Sequence, residues 1–368
     1  MTLTFIVDRA ETDQRRRDAA LRELSFGAAP TDHMITIEYH VDRGWHEARV
    51  RPYGPFEVVP TSRALHYGQG IFEGMKIFGT EEGGAVAFRP DLHAARFRRS
   101  AERMAMPPLP AELFIEALEM FASVDGDWLP SGRGTSLYMR PFMFGTEETL
   151  GFRPARQFRF CLFGTPAGSY YDESVGSLSV WVSHEHVRAA PGGTGAAKCV
   201  GNYGGSLLAH TRAVAEGCDQ VLWLDAHDRA YVEELGGMNV FCVVVEDGET
   251  VLRTPPASDT ILNGVTRRSV IELAGDLGLR VVEDRLAIAD LHEMAQDGRL
   301  REMFACGTAA GVAAIGRIKD GEHDTRIGGE RTPGAVTSAL RERLLDVQHG
   351  RVASRMAWLR PLNAGRTR

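Results

Sequence analysis

The sequence predicts a protein of mixed α+β or α/β class in two domains, and three observations predict it. A chain of 368 residues can form two hydrophobic cores of ordinary size. Stretches with the two-residue alternation of half-buried strands recur through both halves, interleaved with stretches of helical spacing. Between the halves, Thr165-Pro166-Ala167-Gly168-Ser169-Tyr170-Tyr171-Asp172 has the composition of a linking loop.

The first 30 residues are polar and Arg-rich, and the Arg15-Arg16-Arg17 cluster reads as a solvated face. Met34-Ile35-Thr36-Ile37-Glu38-Tyr39 then alternates like a strand. Turns lead to residues 71–78, and Glu82-Gly83-Gly84 precedes the strand-like residues 85–88. A helix is expected from Arg89-Pro90-Asp91, because proline suits the first helical turn and an acidic residue suits its positive end. It carries Leu92, Ala95, Arg96, Arg99 and Met104. A second helix at 110–123 and strands at 135–143 and 157–164 complete the first half. The second half opens with a strand at 178–182 and the Gly-rich Pro191-Gly192-Gly193-Thr194-Gly195. A helix from about Ser206 to Gly217 leads into the strand Val221-Leu222-Trp223-Leu224. Two strands flank Gly236-Gly237, and residues 240–245 read as buried. Val270, Leu273, Ala274 and Leu277 follow the i, i+3, i+4, i+7 spacing of a helix that starts near Val265-Thr266. No internal repeat or low-complexity segment interrupts this order.

Composition narrows the function. With 43% hydrophobic and 25% charged residues the chain is ordinary globular material. A net charge of -7 offers no basic field for nucleic acid. Five scattered cysteines without a Cys-x-x-Cys pair argue against a disulfide framework or cysteine zinc site, so a reducing cytoplasm is expected. No basic-then-apolar leader or long apolar run predicts contact with a membrane.

The chain carries only three lysines among 42 basic residues, so 39 are arginine. Arginine stays protonated, whereas a desolvated lysine can lose its proton and attack a carbonyl. Lys198, in Ala197-Lys198-Cys199-Val200-Gly201-Asn202-Tyr203, is the candidate nucleophile. Lys76 and Lys319 have less suggestive neighbours, and Lys319 in Lys319-Asp320-Gly321-Glu322 reads as exposed. A Schiff-base lysine serving pyridoxal phosphate needs two companions, an acid for the pyridine nitrogen and an anion site for the phosphate. Glu234 ends a strand before Gly236-Gly237, though alternation alone gives one of Glu233 and Glu234 to solvent. Gly264 followed by Val265-Thr266 at a helix start offers N–H groups, a hydroxyl and a positive dipole end. Gly307-Thr308-Ala309-Ala310-Gly311 is a second candidate anion nest. His184-Glu185-His186 puts two imidazoles on one strand face, but no third metal ligand is evident, so no metal is expected.

These residues resemble a known family. The segments His66-Tyr67-Gly68-Gln69-Gly70-Ile71-Phe72-Glu73-Gly74-Met75-Lys76, 198–203, Gly217-Cys218-Asp219-Gln220-Val221-Leu222-Trp223-Leu224, 234–239 and 304–310 are similar to those of branched-chain amino acid aminotransferases, fold type IV pyridoxal-phosphate enzymes. The likeness runs in order from Phe26 to Trp358. It implies a D-amino acid aminotransferase-like architecture: a smaller α+β domain over 1–165, an interdomain loop over 166–178, and a larger β-rich pseudo-barrel domain over 179–368. It also implies roles. Lys198 would hold pyridoxal 5'-phosphate, Tyr203 the ring hydroxyl oxygen and Glu234 the pyridine nitrogen. Arg96 would clamp the phosphate with Val265 and Thr266, and Thr308 and Ala309 would offer N–H groups to the substrate α-carboxylate. Phe26, Phe72, Tyr138 and Tyr170 would line the side-chain pocket, with Tyr67 reaching in from a second subunit of a homodimer or higher oligomer. Arg140 would take the distal carboxylate of glutamate or 2-oxoglutarate. The implied reaction exchanges amino groups between L-leucine, isoleucine or valine and 2-oxoglutarate by a ping-pong route.

Some positions depart from the family pattern. Gly237 stands where relatives can carry a hydroxyl residue, and Asn263 where proline is common. Ala310 and Ala313 replace a redox cysteine pair, and Tyr171-Asp172-Glu173-Ser174 is more polar than the usual loop. Alternatives are therefore a relative acting on a non-standard or aromatic amino acid, a D-amino acid transaminase, an aminodeoxychorismate lyase, or a non-catalytic homologue that binds the cofactor.

Overall fold

A computed structural model describes residues 3–10, 12–168, 170, 176–328 and 333–364. The chain forms two compact units. One comprises Met1–Tyr170, Ala197–Val200 and Leu345–Arg368, the other Tyr171–Ala196 and Gly201–Leu344.

The first unit is built on one sheet of β1 (Ile6–Val7), β2 (His33–His40), β3 (Gly44–Pro52), β4 (Gly70–Phe72), β5 (Met75–Gly79), β6 (Ala85–Phe88), β7 (Ser136–Gly145) and β8 (Gln157–Ala167), in the order β1-β3-β2-β8-β7-β5-β6 with β4 also on β7. Helices α1 (Gln14–Glu23), α2 (Arg63–Tyr67), α3 (Pro90–Arg103) and α4 (Ala111–Asp125) accompany it. The expected helix at residue 89 begins with Pro90 in its first turn. Phe97 of α3 packs edge-on against Phe160 of β8 and tilted against Phe114 of α4, which fixes helix to sheet. Each such ring stabilises the core by about 1.5–3 kcal/mol relative to exposure. One expectation changes here. Thr165, Pro166 and Ala167 continue β8, paired with Tyr138, Leu137 and Ser136, so the loop composition starts too early. The departing loop at 171–174 lies outside the described residues. In the Arg15-Arg16-Arg17 cluster, Arg15 and Arg16 are exposed as expected, although Arg16 donates to Asp32 at 2.6 Å and lies over the Trp128 ring; Arg17 is half-buried and pairs with Asp127.

The second unit contains β9 (Leu178–Ser183), β10 (Gln220–Leu224), β11 (Tyr231–Leu235), β12 (Met238–Glu246), β13 (Glu249–Thr254), β14 (Arg280–Glu283), β15 (Leu286–Ala287), β16 (Leu300–Gly307), β17 (Gly311–Asp320) and β18 (His323–Arg326). Strands β12-β16-β17-β9-β10-β11 follow one another, and a further pairing of β11 with β12 closes them into a ring of six. This is the β-rich pseudo-barrel expected for the second half. The closing hairpin turns through Gly236-Gly237, with Leu235 paired to Met238 and Gly236 at φ +54°, a conformation that favours glycine. Buried Val180, Leu222, Val240, Ala305 and Ile315 fill its core. Helices α5 (Val200–Gly204), α6 (Leu207–Ala215), α7 (Val265–Asp276), α8 (Ile288–Gln296) and α9 (Ala335–Gln348) follow. The chain then returns: β19 (Leu359–Leu362) pairs antiparallel with β6, a pairing that a linear division of the sequence does not contain.

Candidate functional site

Lys198 is anchored through its backbone. Its N–H donates to Ser100 Oγ on α3 at 2.9 Å, and its carbonyl accepts the Phe72 N–H at 3.0 Å. Its Nζ lies 4.8 Å from the centroid of the Phe72 ring, on which the Arg140 guanidinium also lies, at 4.8 Å. Arg140 donates to Tyr138 Oη at 3.0 Å, Tyr138 meets Phe26 edge-on at 4.7 Å, and Phe26 meets Tyr170 at 4.9 Å. The residues singled out as a side-chain pocket thus form one row of contacts ending at the Lys198 amine. Tyr67 stands apart from that row: it is 41% exposed, its hydroxyl donates to the Leu150 carbonyl at 2.5 Å, and its ring packs on Phe152.

Arg96 faces into the first unit from α3 and donates through Nε and Nη2 to the two oxygens of Glu73, at 2.6 and 2.8 Å. Glu73 is fully buried and also accepts from His93 Nδ1 at 2.9 Å and from the Gly74 N–H at 3.1 Å. Burial alone would raise its carboxyl, but Arg96 and His93 overcome that and hold it well below the usual carboxylate range. Burial in turn pulls the His93 imidazole down.

In the second unit, Glu234 is 1% exposed; Oε1 accepts the Leu262 N–H at 2.5 Å and Oε2 lies 3.2 Å from Arg188 Nε. Its cross-strand neighbour Asn239 donates to the Leu262 carbonyl at 2.9 Å. These two side chains therefore fix the loop that delivers Gly264 to the start of α7. A Cβ on Gly264 would overlap Asn239 Oδ1, so a larger residue there must displace the side chain that holds the Leu262 carbonyl. Helix α7 opens at buried Val265 and Thr266 with no capping side chain and no acidic residue in its first turn. Tyr203 on α5 leans on Gly237, whose missing Cβ would lie 3.2 Å from the ring. Thr308 and Ala309 occupy the turn between β16 and β17, beside the paired Gly307 and Gly311.

Comparison with known proteins decides the family. Residues 70–318 match the model for the class IV amino-transferases. The chain belongs to the class IV aminotransferases. This aminotransferase is 47% identical to the branched-chain-amino-acid aminotransferase of Mycobacterium tuberculosis (strain ATCC 25618 / H37Rv) over 97% of the chain and 98% of the relative. It is 47% identical to the enzyme of the same name from Mycolicibacterium smegmatis (strain ATCC 700084 / mc(2)155), over 94% of each. Among solved structures it resembles the T.th. branched-chain amino acid aminotransferase complexed with N-(5'-phosphopyridoxyl)-L-glutamate, at 30% identity and a TM-score of 0.70 over 88% of this chain and 97% of that one. The fold type IV architecture is thereby established.

Several side chains of this aminotransferase differ from their sequence reading. Lys76 is buried, and desolvation lowers its amine to about 8. Lys319 is only partly exposed and pairs with Glu216 at 2.6 Å. Glu233 is not given to solvent: it is 7% exposed beside Glu234, accepts from Thr260 Oγ1 at 2.5 Å, and burial pushes its carboxyl up. Strand alternation failed there because the Thr260 loop covers the other face. His184 and His186 follow the end of β9 rather than sharing its face, and His184 pairs with Asp320 at 2.5 Å. Among the described residues no group of three His, Cys, Asp or Glu side chains is arranged to hold a metal. Sequence reasoning missed Glu73, His93, Ser100, Arg188 and Asn239. A signal existed for two of them, since His93, Arg96 and Ser100 recur at i, i+3, i+7 as polar residues on the buried face of α3.

Proposed function

We propose that this chain is a branched-chain amino acid aminotransferase that uses pyridoxal 5'-phosphate to convert L-leucine, isoleucine and valine to their 2-oxo acids, with 2-oxoglutarate taking the amino group. The observation that carries the reading is the row from Tyr170 through Phe26, Tyr138, Arg140 and Phe72 to the Lys198 amine. An aliphatic side chain needs the aromatic members of that row and a distal carboxylate needs the guanidinium, and both half-reactions must use one pocket. Arg140 Nε is buried without a hydrogen-bond partner, a donor in keeping with an anionic substrate group.

The donor set also fits the cofactor. An amine, a buried carboxylate, a cationic fork, an uncapped helix start and a glycine that admits the Tyr203 ring are the groups that its aldehyde, ring nitrogen, phosphate and ring oxygen require. When bound, the cofactor supplies a carbonyl that joins covalently to amines and a ring that accepts electrons from the substrate Cα. Lys198 Nζ would hold the carbonyl carbon between turnovers and, once displaced by substrate, would move the proton from the substrate Cα. Glu234 would take the ring nitrogen and keep it protonated, while Tyr203 would donate to the ring oxygen. Arg96 would bind the phosphate together with the N–H groups of Val265 and Thr266 and the Thr266 hydroxyl. Thr308 and Ala309 would present N–H groups to the α-carboxylate.

The same reading includes a cytoplasmic homodimer in which Tyr67 serves the partner's pocket. No described helix is long and apolar enough to cross a membrane. The test is the visible spectrum of the protein loaded with cofactor. An aldehyde-form band that L-leucine bleaches and 2-oxoglutarate restores, and that Lys198→Ala lacks, is the expected result. Turnover of D-alanine but not L-leucine would overturn it.

A further inference from the structure

Helix α3 presents three buried polar side chains on one face, and together they hold two parts of the chain. Ser100 accepts the Lys198 N–H at 2.9 Å, while His93 and Arg96 both donate to Glu73. Glu73 follows Phe72, whose N–H donates to the Lys198 carbonyl, and Ile71 is bridged to Cys199. One carboxylate therefore joins the segment that carries Lys198 to the guanidinium assigned to the phosphate. We propose that Glu73 is a positioning residue for cofactor capture, fixing the plane of Arg96 so that its fork is set for the phosphate before the phosphate arrives.

Physical chemistry supports this over a purely structural role. An arginine side chain has considerable rotamer freedom, and restraining it before binding removes that entropic cost from the binding step. A carboxylate using both Nε and Nη2 defines the guanidinium plane, which a single contact cannot do. Glu73 is itself over-determined by His93 and the Gly74 N–H, so it has no alternative orientation of similar energy. A packing role alone would need none of these donors, because apolar residues of similar volume fill such a space at no desolvation cost.

The inference rests on the proposed cofactor, and the experiment separates the two. Apoprotein is titrated with pyridoxal 5'-phosphate and, in parallel, with pyridoxal, which has the aldehyde and ring but no phosphate. If the unsubstituted protein forms no Schiff-base band with pyridoxal 5'-phosphate, the functional reading itself fails. If it does, Glu73→Gln is expected to bind pyridoxal 5'-phosphate roughly tenfold or more weakly while its affinity for pyridoxal stays unchanged. Arg96→Ala should show the same selective loss, and the double variant should lose little more than either single one. Equal losses for both ligands, or full additivity in the double variant, would overturn the proposal. Should Glu73→Gln not fold, Glu73→Asp, which keeps the charge but is too short to reach both nitrogens, is read in the same way.

Discussion

Lys76 lies on β5 with 9% exposure, and desolvation lowers its amine from 10.5 to about 8. Unfolding returns it to water, so between those two values the unfolded chain binds more protons than the folded one. Stability therefore rises with pH from about 8 to 10.5, and the contribution is smallest below that window, where the buried amine stays charged. Lys76→Met should abolish this rise, which urea unfolding at pH 7 and pH 10 will show; an unchanged pH profile contradicts it. The sequence did not reveal this burial, because Met75-Lys76-Ile77 has the alternation of a strand with one wet face, whereas all of residues 75–78 are covered. Lys198 was legible for the opposite reason: rarity of lysine is a chemical signal that needs no tertiary structure. Glu73 was written in the quoted motif, yet its task depends on His93 and Arg96 arriving from α3, which no local pattern states.

At the scale of elements, the turn from β4 to β5 depends on Gly74. A Cβ there would overlap Tyr138 Oη, and Tyr138 is itself held between Phe26 and Arg140. Gly74→Ala must displace Tyr138 and with it the hydroxyl that Arg140 meets. We expect kcat/KM for L-leucine to fall about tenfold, mostly through KM, with loss of stability of about 1–3 kcal/mol. Steady-state kinetics with leucine and 2-oxoglutarate check it; unchanged KM for both would refute the placement. Helix starts, strand periods and the Gly236-Gly237 turn were readable because each follows from local backbone chemistry. The extension of β8 to Ala167 was not, since its register with β7 outweighs the turn-forming tendency of its own residues.

At the scale of the whole molecule, Tyr67, Leu150 and Phe152 form an exposed apolar group on the first unit, with Phe152 90% exposed. Leaving such surface in water is unfavourable, and covering it against a second copy offsets the cost. Phe152→Asp should shift the proposed dimer toward monomer in sedimentation velocity at micromolar concentration; an unshifted boundary would exclude this face from the interface. Residue chemistry and period-coded local structure, together with the order of motifs that marks the family, were determined by the sequence by itself, because these depend on neighbours a few residues apart. Closure of the six-stranded ring, the return of β19 to β6, the burial of Lys76 and Glu233, and the carboxylate clamp on Arg96 were decided only by tertiary structure. Each of these depends on desolvation and partners supplied by segments distant in the chain, and the free energy of burying a charge is a property of that assembled environment rather than of the residue.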